Sequence, residues 1–188
     1  MYLVTLAKIG EILYSFVMVL DKYRTIPREG FFLNKLDAAY IAGFLDGDGS
    51  VRLQLQPRKK MKCGYRVRAL ISFAQKVGHE KELNWIRRKL GIGYIYVRND
   101  EMSELKIEGF AAVKNILFQL KPYIHFKANQ VRLTLKALKL LERSPKAILR
   151  AAEISDEISK YNYVMTVKKH TAQAVRDYIN KKIYPRND

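Results

Sequence analysis

Hydrophobic and polar positions follow two different periods along this chain. From Ala38 to Ser50 the spacing is helical, with small residues at Ala39, Gly43 and Gly47, every fourth position and so on one face. Val51-Arg52-Leu53-Gln54-Leu55-Gln56 then alternates strictly, which predicts a strand with Val51, Leu53 and Leu55 on one side. Pro57 to Gly64, carrying Arg58, Lys59, Lys60 and Lys62, reads as a loop. Arg66 to Phe73 alternates again, with Val67, Ala69, Ile71 and Phe73 inward. Leu83, Ile86 and Leu90 predict a helix over 79–90, stopped by Gly91 and Gly93. In a second hairpin Ile95 and Val97 face one way, and Tyr94, Tyr96 and Arg98 the other. Asn99-Asp100 begins its turn; Leu105 and Ile107 then point inward, Glu104 and Lys106 outward. Phe110 to Leu120 is helical, Pro122 breaks the chain, and Val131, Leu135, Leu138 and Leu141 predict a helix over 127–142. Two further helices are expected near 145–160 and 168–183.

The order α-ββ-α-ββ-α places the chain in the α+β class: a four-stranded antiparallel sheet, helices on its apolar face, and C-terminal helices added. Residues 1–20 are rich in apolar side chains, but Lys8 and Glu11 interrupt them, so they are too broken for a membrane span. They lack a clear basic leader and a small-residue cleavage site. Residues 3–23 read as an amphipathic helix packed on the domain, with a cleaved targeting peptide as the alternative. Thr25 to Gly30 reads as a linker. The expected organisation is an extension over 1–30 and one domain over 31–188.

Charge changes the picture. The chain carries 35 Lys and Arg against 18 Asp and Glu, a net +17, which points to a polyanionic partner. The basic residues spread over several elements instead of one juxtamembrane cluster, which favours nucleic acid over a membrane. One cysteine, Cys63, excludes an intrachain disulfide and a cysteine-based zinc site, and points to a reducing interior. His79, His125 and His170 lie far apart in sequence, which speaks against zinc.

The first helix ends against a local rule. A helix C-terminus carries partial negative charge and unpartnered carbonyls, yet Asp46 and Asp48 sit there between glycines. Such conflicts mark functional sites. A divalent cation resolves this one, because carboxylate and free carbonyl oxygens are the hard ligands Mg²⁺ prefers. Asp48 and the Gly47 carbonyl are the candidate ligands. The small-residue face also admits a second helix at close range. If that is the same helix of another copy, two Asp48 carboxylates come side by side.

The outward face of the four strands offers Arg52, Gln54 and Gln56, then Arg58 in the loop, Arg66, Arg68 and Ser72, Tyr96 and Arg98, and finally Glu104 and Lys106. Arginine can grip guanine with two hydrogen bonds, glutamine adenine, and glutamate can accept from cytosine. Lys59, Lys60 and Lys62 at the loop tip suit phosphates, which give affinity without sequence information. A merely solvated face would mix Lys, Glu and Thr; Arg and Gln dominate here.

Ile41-Ala42-Gly43-Phe44-Leu45-Asp46-Gly47-Asp48-Gly49 resembles the signature nonapeptide of the LAGLIDADG homing endonucleases, and the resemblance extends from residue 36 to residue 140. It implies an intron-encoded enzyme that cuts both DNA strands across the minor groove at a long site, leaving 3′ overhangs. Mg²⁺ or Mn²⁺ is the implied cofactor, two or more ions per dimer. No second Asp-Gly-Asp-Gly follows, and single-motif members are homodimers, so a near-palindromic target is expected. The expected seam uses Ala39, Gly43 and Gly47; Asp46 is left off the ligand list, since it could instead receive hydrogen bonds across that seam. The family's water-ordering residue corresponds to Gln75. Four residues on, the family usually has Arg or Lys and this chain has His79; a neutral imidazole stabilises a phosphorane poorly, a protonated one could do so, and Lys76 or Lys81 are the stand-ins. Pro122-Tyr123-Ile124-His125-Phe126-Lys127-Ala128-Asn129-Gln130 matches the segment around the family's active-site lysine and assigns that role to Lys127. Catalysis would thus fall to Asp48, Gln75, Lys127 and His79. The alternatives on the same fold are a maturase that binds its own intron RNA and a DNA-binding regulator with a decayed site. The expected location is the interior of a prokaryote or an organelle matrix.

Overall fold

Asn34 starts the first helix by satisfying two groups at once: its Oδ1 accepts from the Asp37 N–H at 2.8 Å and its Nδ2 donates to the Asp37 carboxylate at 2.7 Å. The computed structural model describes residues 32–61, 63–140, 144–162 and 170–183. From that cap α1 runs over Lys35–Asp48 and buries Ala38, Ile41, Ala42 and Leu45. It passes into β1 (Gly49–Pro57) without a connecting loop. Gly49 makes this turn sterically feasible, because a Cβ there would lie 2.5 Å from Leu45 Cδ1 and 2.7 Å from Leu45 Cα.

The chain continues through β2 (Tyr65–Lys76), α2 (Glu80–Leu90), β3 (Tyr94–Val97), β4 (Met102–Glu108) and α3 (Phe110–Leu120). A 3₁₀ turn at Lys121–Tyr123, set by Pro122, leads to α4 (Ala128–Leu140), α5 (Pro145–Ser159) and α6 (Ala172–Ile183). The sheet is antiparallel throughout, in the order β1-β2-β4-β3. The expected α+β architecture is therefore present, with the two hairpins joined through β2 and β4. Val51, Leu53, Leu55, Val67, Ala69, Ile71, Phe73, Leu105 and Ile107 fill the interior against Leu45, Leu83, Ile86, Ile116 and Leu117 from the helices.

Three differences from the sequence pattern have physical causes. Val97, expected inward, is exposed at the last position of a four-residue edge strand. β2 runs three residues past Phe73, because Ala74, Gln75 and Lys76 pair with Glu104, Ser103 and Met102. Cys63, expected as a loop residue, is buried and its thiol donates to the Tyr65 carbonyl at 3.2 Å. The expectations for residues 1–30, for Lys62 and for Leu141 lie outside the described residues.

The C-terminal helices brace the first hairpin. The Ser155 hydroxyl of α5 donates to the Leu53 carbonyl at 2.6 Å, a buried bond on the free edge of β1. From α6 the Tyr178 ring lies against Gly64: a Cβ there would come within 2.4 Å of it, and Gly64 has φ +69°. Tyr65 meets Tyr178 edge-on at 6.1 Å and His170 at 5.7 Å. Among the described residues no helix is long and apolar enough to cross a membrane.

Candidate active site and nucleic-acid face

The end of α1 gathers residues from three elements. Asp48, its last residue, is exposed, and Gln75 at the end of β2 donates from Nε2 to Asp48 Oδ2 at 3.4 Å. Lys127, just before α4, folds back over the same helix end. Its ammonium donates to the Asp46 carbonyl and, at 3.3 Å, to the Gly47 carbonyl. No basic residue occupies the last turn of α1, so this lysine is the cation that meets its negative end. Burial pulls the Lys127 pKa below its ordinary value, while Asp46 and Asp48 pull it the other way. Sequence positions 48, 75 and 127 thus converge on one point.

Asp46 turns the opposite way from Asp48. It is 8% exposed, and its Oδ2 accepts from the backbone N–H of His125 at 2.6 Å and of Phe126 at 3.1 Å, while Oδ1 accepts from the Lys127 N–H at 3.0 Å. The expectation that Asp46 receives hydrogen bonds across a dimer seam is therefore corrected: its partners belong to its own chain. His125 contributes through its backbone. His79 precedes α2 with an exposed side chain that makes no hydrogen bond to Asp48, Gln75 or Lys127. Its neighbour Glu80 is the fixed group there, accepting from Ser103 Oγ at 2.6 Å and from the Gly78 N–H at 3.1 Å. Chiefly through the Ser103 bond, its carboxyl is held below the ordinary range.

Among the described residues no group of three or more His, Cys, Asp or Glu side chains is placed to hold a metal. One chain offers the Asp48 carboxylate and the Gly47 carbonyl. These are hard oxygen donors at a helix end that already draws an ammonium onto its carbonyls, so they fit a hard divalent cation.

Among the described residues nothing covers the rest of α1's outer face. Ala39, Gly43 and Gly47 are exposed, and nothing lies within 4 Å of a Cβ built on either glycine. Phe32, Leu36 and Tyr40 beside them are 80%, 84% and 60% exposed.

On the outward sheet face many of the expected base-reading side chains are linked to one another. Arg52 Nη2 donates to Ser72 Oγ at 2.9 Å and to Glu104 Oε1 at 2.6 Å, and the Tyr96 hydroxyl donates to the other Glu104 oxygen. Glu104 is only 3% exposed and Ser72 is buried as well. Their expected base contacts are corrected accordingly: they lie beneath Arg52 and Tyr96 on the central strands, where the register sets Glu104 opposite Tyr96. Burial raises the Glu104 pKa, but bonds from Tyr96 and Ser72 and the charges of Arg52 and Lys106 outweigh it and hold the carboxyl below its usual value. The Tyr96 phenol is pushed up to about 12, first by burial and then by Glu104. Lys106 Nζ lies 4.8 Å over the Tyr96 ring.

Farther along, Arg68 pairs with Glu108, whose second oxygen accepts from the Tyr94 hydroxyl at 3.2 Å. Arg66 Nε donates to Gln56 Oε1 at 2.7 Å, and Arg98 pairs with Asp100 at 2.7 Å. Desolvation and the nearby Arg58 and Arg68 charges lower the Arg66 pKa, with Glu108 opposing. Three guanidinium groups crowded together are relieved by an anion. Gln54, Arg58, Lys59 and Lys60 are exposed. A cleft of about 430 Å³ runs along β1, with Gln54 and Gln56 on one wall and Ser159, Asn162 and His170 on the other. Sequence reasoning missed Asn162 and His170, since only the packing of the C-terminal helices brings them there.

Comparison with known proteins agrees with this geometry. The family model described as LAGLIDADG endonuclease matches residues 41–129. The chain is 31% identical over 154 residues to the DNA endonuclease I-CvuI of Chlorella vulgaris, covering 80% of this chain and 94% of that protein. It is 30% identical over 154 residues to the DNA endonuclease I-CreI of Chlamydomonas reinhardtii, covering 79% and 94%. Among solved structures it is similar to the homing endonuclease I-CvuI in complex with the I-CreI target in the presence of Mg, with a TM-score of 0.76 and 29% identity over 80% of this chain and 96% of that one.

Proposed function

This chain belongs to the LAGLIDADG endonuclease family, and from that premise we propose that it is a site-specific DNA endonuclease that works as a homodimer with Mg²⁺ or Mn²⁺. The observation that carries the reading is the convergence of Asp48, Gln75 and Lys127 at one end of α1, beside a helix face that no described residue covers. Two α1 helices meeting on Ala39, Gly43 and Gly47 bring two Asp48 carboxylates together and complete what one chain supplies by half. The two-fold arrangement presents two sheets to DNA, so each protomer reads one half of a near-palindromic site.

In this reading the Asp48 carboxylate and the Gly47 carbonyl hold the divalent cation. When bound, that cation neutralises charge on the phosphate and makes water a better nucleophile at neutral pH. The Gln75 amide, beside Asp48, orients the attacking water. The Lys127 ammonium faces the negative charge that develops at phosphorus, a preorganised donor of the kind that dominates such barriers. The exposed Arg58, Lys59 and Lys60 grip phosphates, while Arg52, Gln54, Gln56, Arg66, Arg68, Tyr96, Arg98 and Lys106 meet base edges. Hydrolysis on both strands across the minor groove leaves 3′ overhangs.

The test is cleavage of a randomised duplex library in Mg²⁺, with Asp48→Asn alongside. Recovery of one long near-palindromic sequence, cut by the wild type only, is the expected result. Firm, sequence-selective binding without any cutting by the wild type overturns it, and intron RNA is the next ligand to assay.

A further inference from the structure

Asp46 is a nearly buried carboxylate for which the proposed reaction has no use. Metal ligation belongs to Asp48, and the seam belongs to the bare side of α1. The Asp46 carboxylate instead turns to the residues that lead into α4. The N–H groups of His125, Phe126 and Lys127 are consecutive, and all three point at it, at 2.6, 3.1 and 3.0 Å. A buried backbone N–H in a turn has no helix or ladder partner of its own and must find one. Here an acid from a different helix, about eighty positions earlier in the chain, satisfies the three that lead into α4.

The link is also doubled. Lys127 donates its backbone N–H to the Asp46 side chain, and its ammonium returns to the Asp46 backbone carbonyl. A lysine stem is long and flexible, so its charge sits where its root and its tip are both held. We propose that Asp46 is the positioning residue for Lys127: its carboxylate pins the lysine's backbone to the end of α1, so that the ammonium lies at Gly47 next to Asp48. This inference rests on the endonuclease reading and deepens it, since the reading assigns Asp46 no part in the reaction.

Asp46→Asn replaces one acceptor oxygen by an amide that cannot accept, facing an N–H. Misplacement of a catalytic group by about an ångström costs up to roughly a hundredfold in rate. The experiment is a double-mutant cycle with Lys127→Met on the selected target duplex, reading single-turnover cleavage and duplex affinity separately. Asp46→Asn is expected to slow cleavage about 10- to 100-fold with affinity changed less than about twofold. In the Lys127→Met background it is expected to add almost nothing, because residues acting as one unit are non-additive. Losses that multiply in the double variant, a loss confined to affinity, or wild-type cleavage by Asp46→Asn would each overturn the proposal. Thermal melts identify the variants that fold; if Asp46→Asn does not, Asp46→Ser, which keeps one acceptor, carries the same cycle. A wild type that cuts nothing sinks the endonuclease reading instead, so the two failures are distinct.

Discussion

Arg52 reaches past β2 to Glu104 on β4, with Nη2 2.6 Å from Oε1, and Glu104 is held from its other side by the Tyr96 hydroxyl. A buried carboxylate thus fixes two side chains of the outward sheet face. In the folded protein its pKa is depressed below the ordinary value of 4.5. A depressed carboxylate contributes stability that is present above its unfolded pKa and lost as pH falls through its folded value. Glu104→Gln is therefore expected to lower stability by about 1–3 kcal/mol at neutral pH. The difference from wild type should shrink as pH drops below 4.5. Melting curves of both proteins from neutral pH down through that range check this, and a constant difference would refute it.

Gly43 tests the α1 face. Among the described residues a Cβ at Gly43 meets nothing within 4 Å, so Gly43→Leu is expected to leave the fold intact. Replacing a mid-helix glycine even favours the helix, by about 0.5–1 kcal/mol for alanine. Gly43→Leu is expected to stay folded, to sediment as a monomer and to lose cleavage. A dimer that still cuts would rule out this face as the seam.

Tyr178 tests the brace on the first hairpin. Tyr178→Ala removes the ring from Gly64 and Tyr65 and is expected to cost about 2–3 kcal/mol, less than a fully buried aromatic. Because Arg58, Lys59 and Lys60 lie on that hairpin's loop, discrimination among target variants is expected to fall as well. Melting and competition binding against mismatched duplexes measure the two effects; unchanged discrimination would separate the brace from recognition.

Arg68 and Lys60 differ in what they are expected to read. Lys60→Ala should weaken binding to all duplexes alike and reduce the slope of log affinity against log salt by about one. Arg68→Ala should cost about 1–3 kcal/mol on the preferred sequence and less on others. Salt titrations on target and scrambled duplexes distinguish them. Equal losses on every sequence for both variants would refute the division.

Much of this molecule is legible along the chain because its signals are local. Strict alternation from Val51 to Gln56 and the helical spacing of Leu83, Ile86 and Leu90 depend on neighbours a few residues away, and both elements are where the pattern puts them. Asp46 shows what local pattern omits. Its neighbours mark it as an acid at the wrong end of a helix, and only the placement of residues 125–127 reveals the donors that make it comfortable. Glu104 is a similar case: alternation gives its side of the sheet correctly, but on that side it lies beneath Arg52 and Tyr96 instead of at the surface. Lys127 needed the family resemblance, since nothing in the spacing of one surface lysine sets it apart from many.

The Ser155 hydroxyl on the Leu53 carbonyl has a consequence for growth. β1 is an edge strand, and an unclaimed edge invites another chain to add a strand, and another after it, without end. With that carbonyl taken by α5 and the opposite edge only four residues long, the sheet stops at four strands. In the proposed dimer, association falls instead to the small-residue face of α1, where a helix meeting its own copy would use up both surfaces in one step and end growth at two chains.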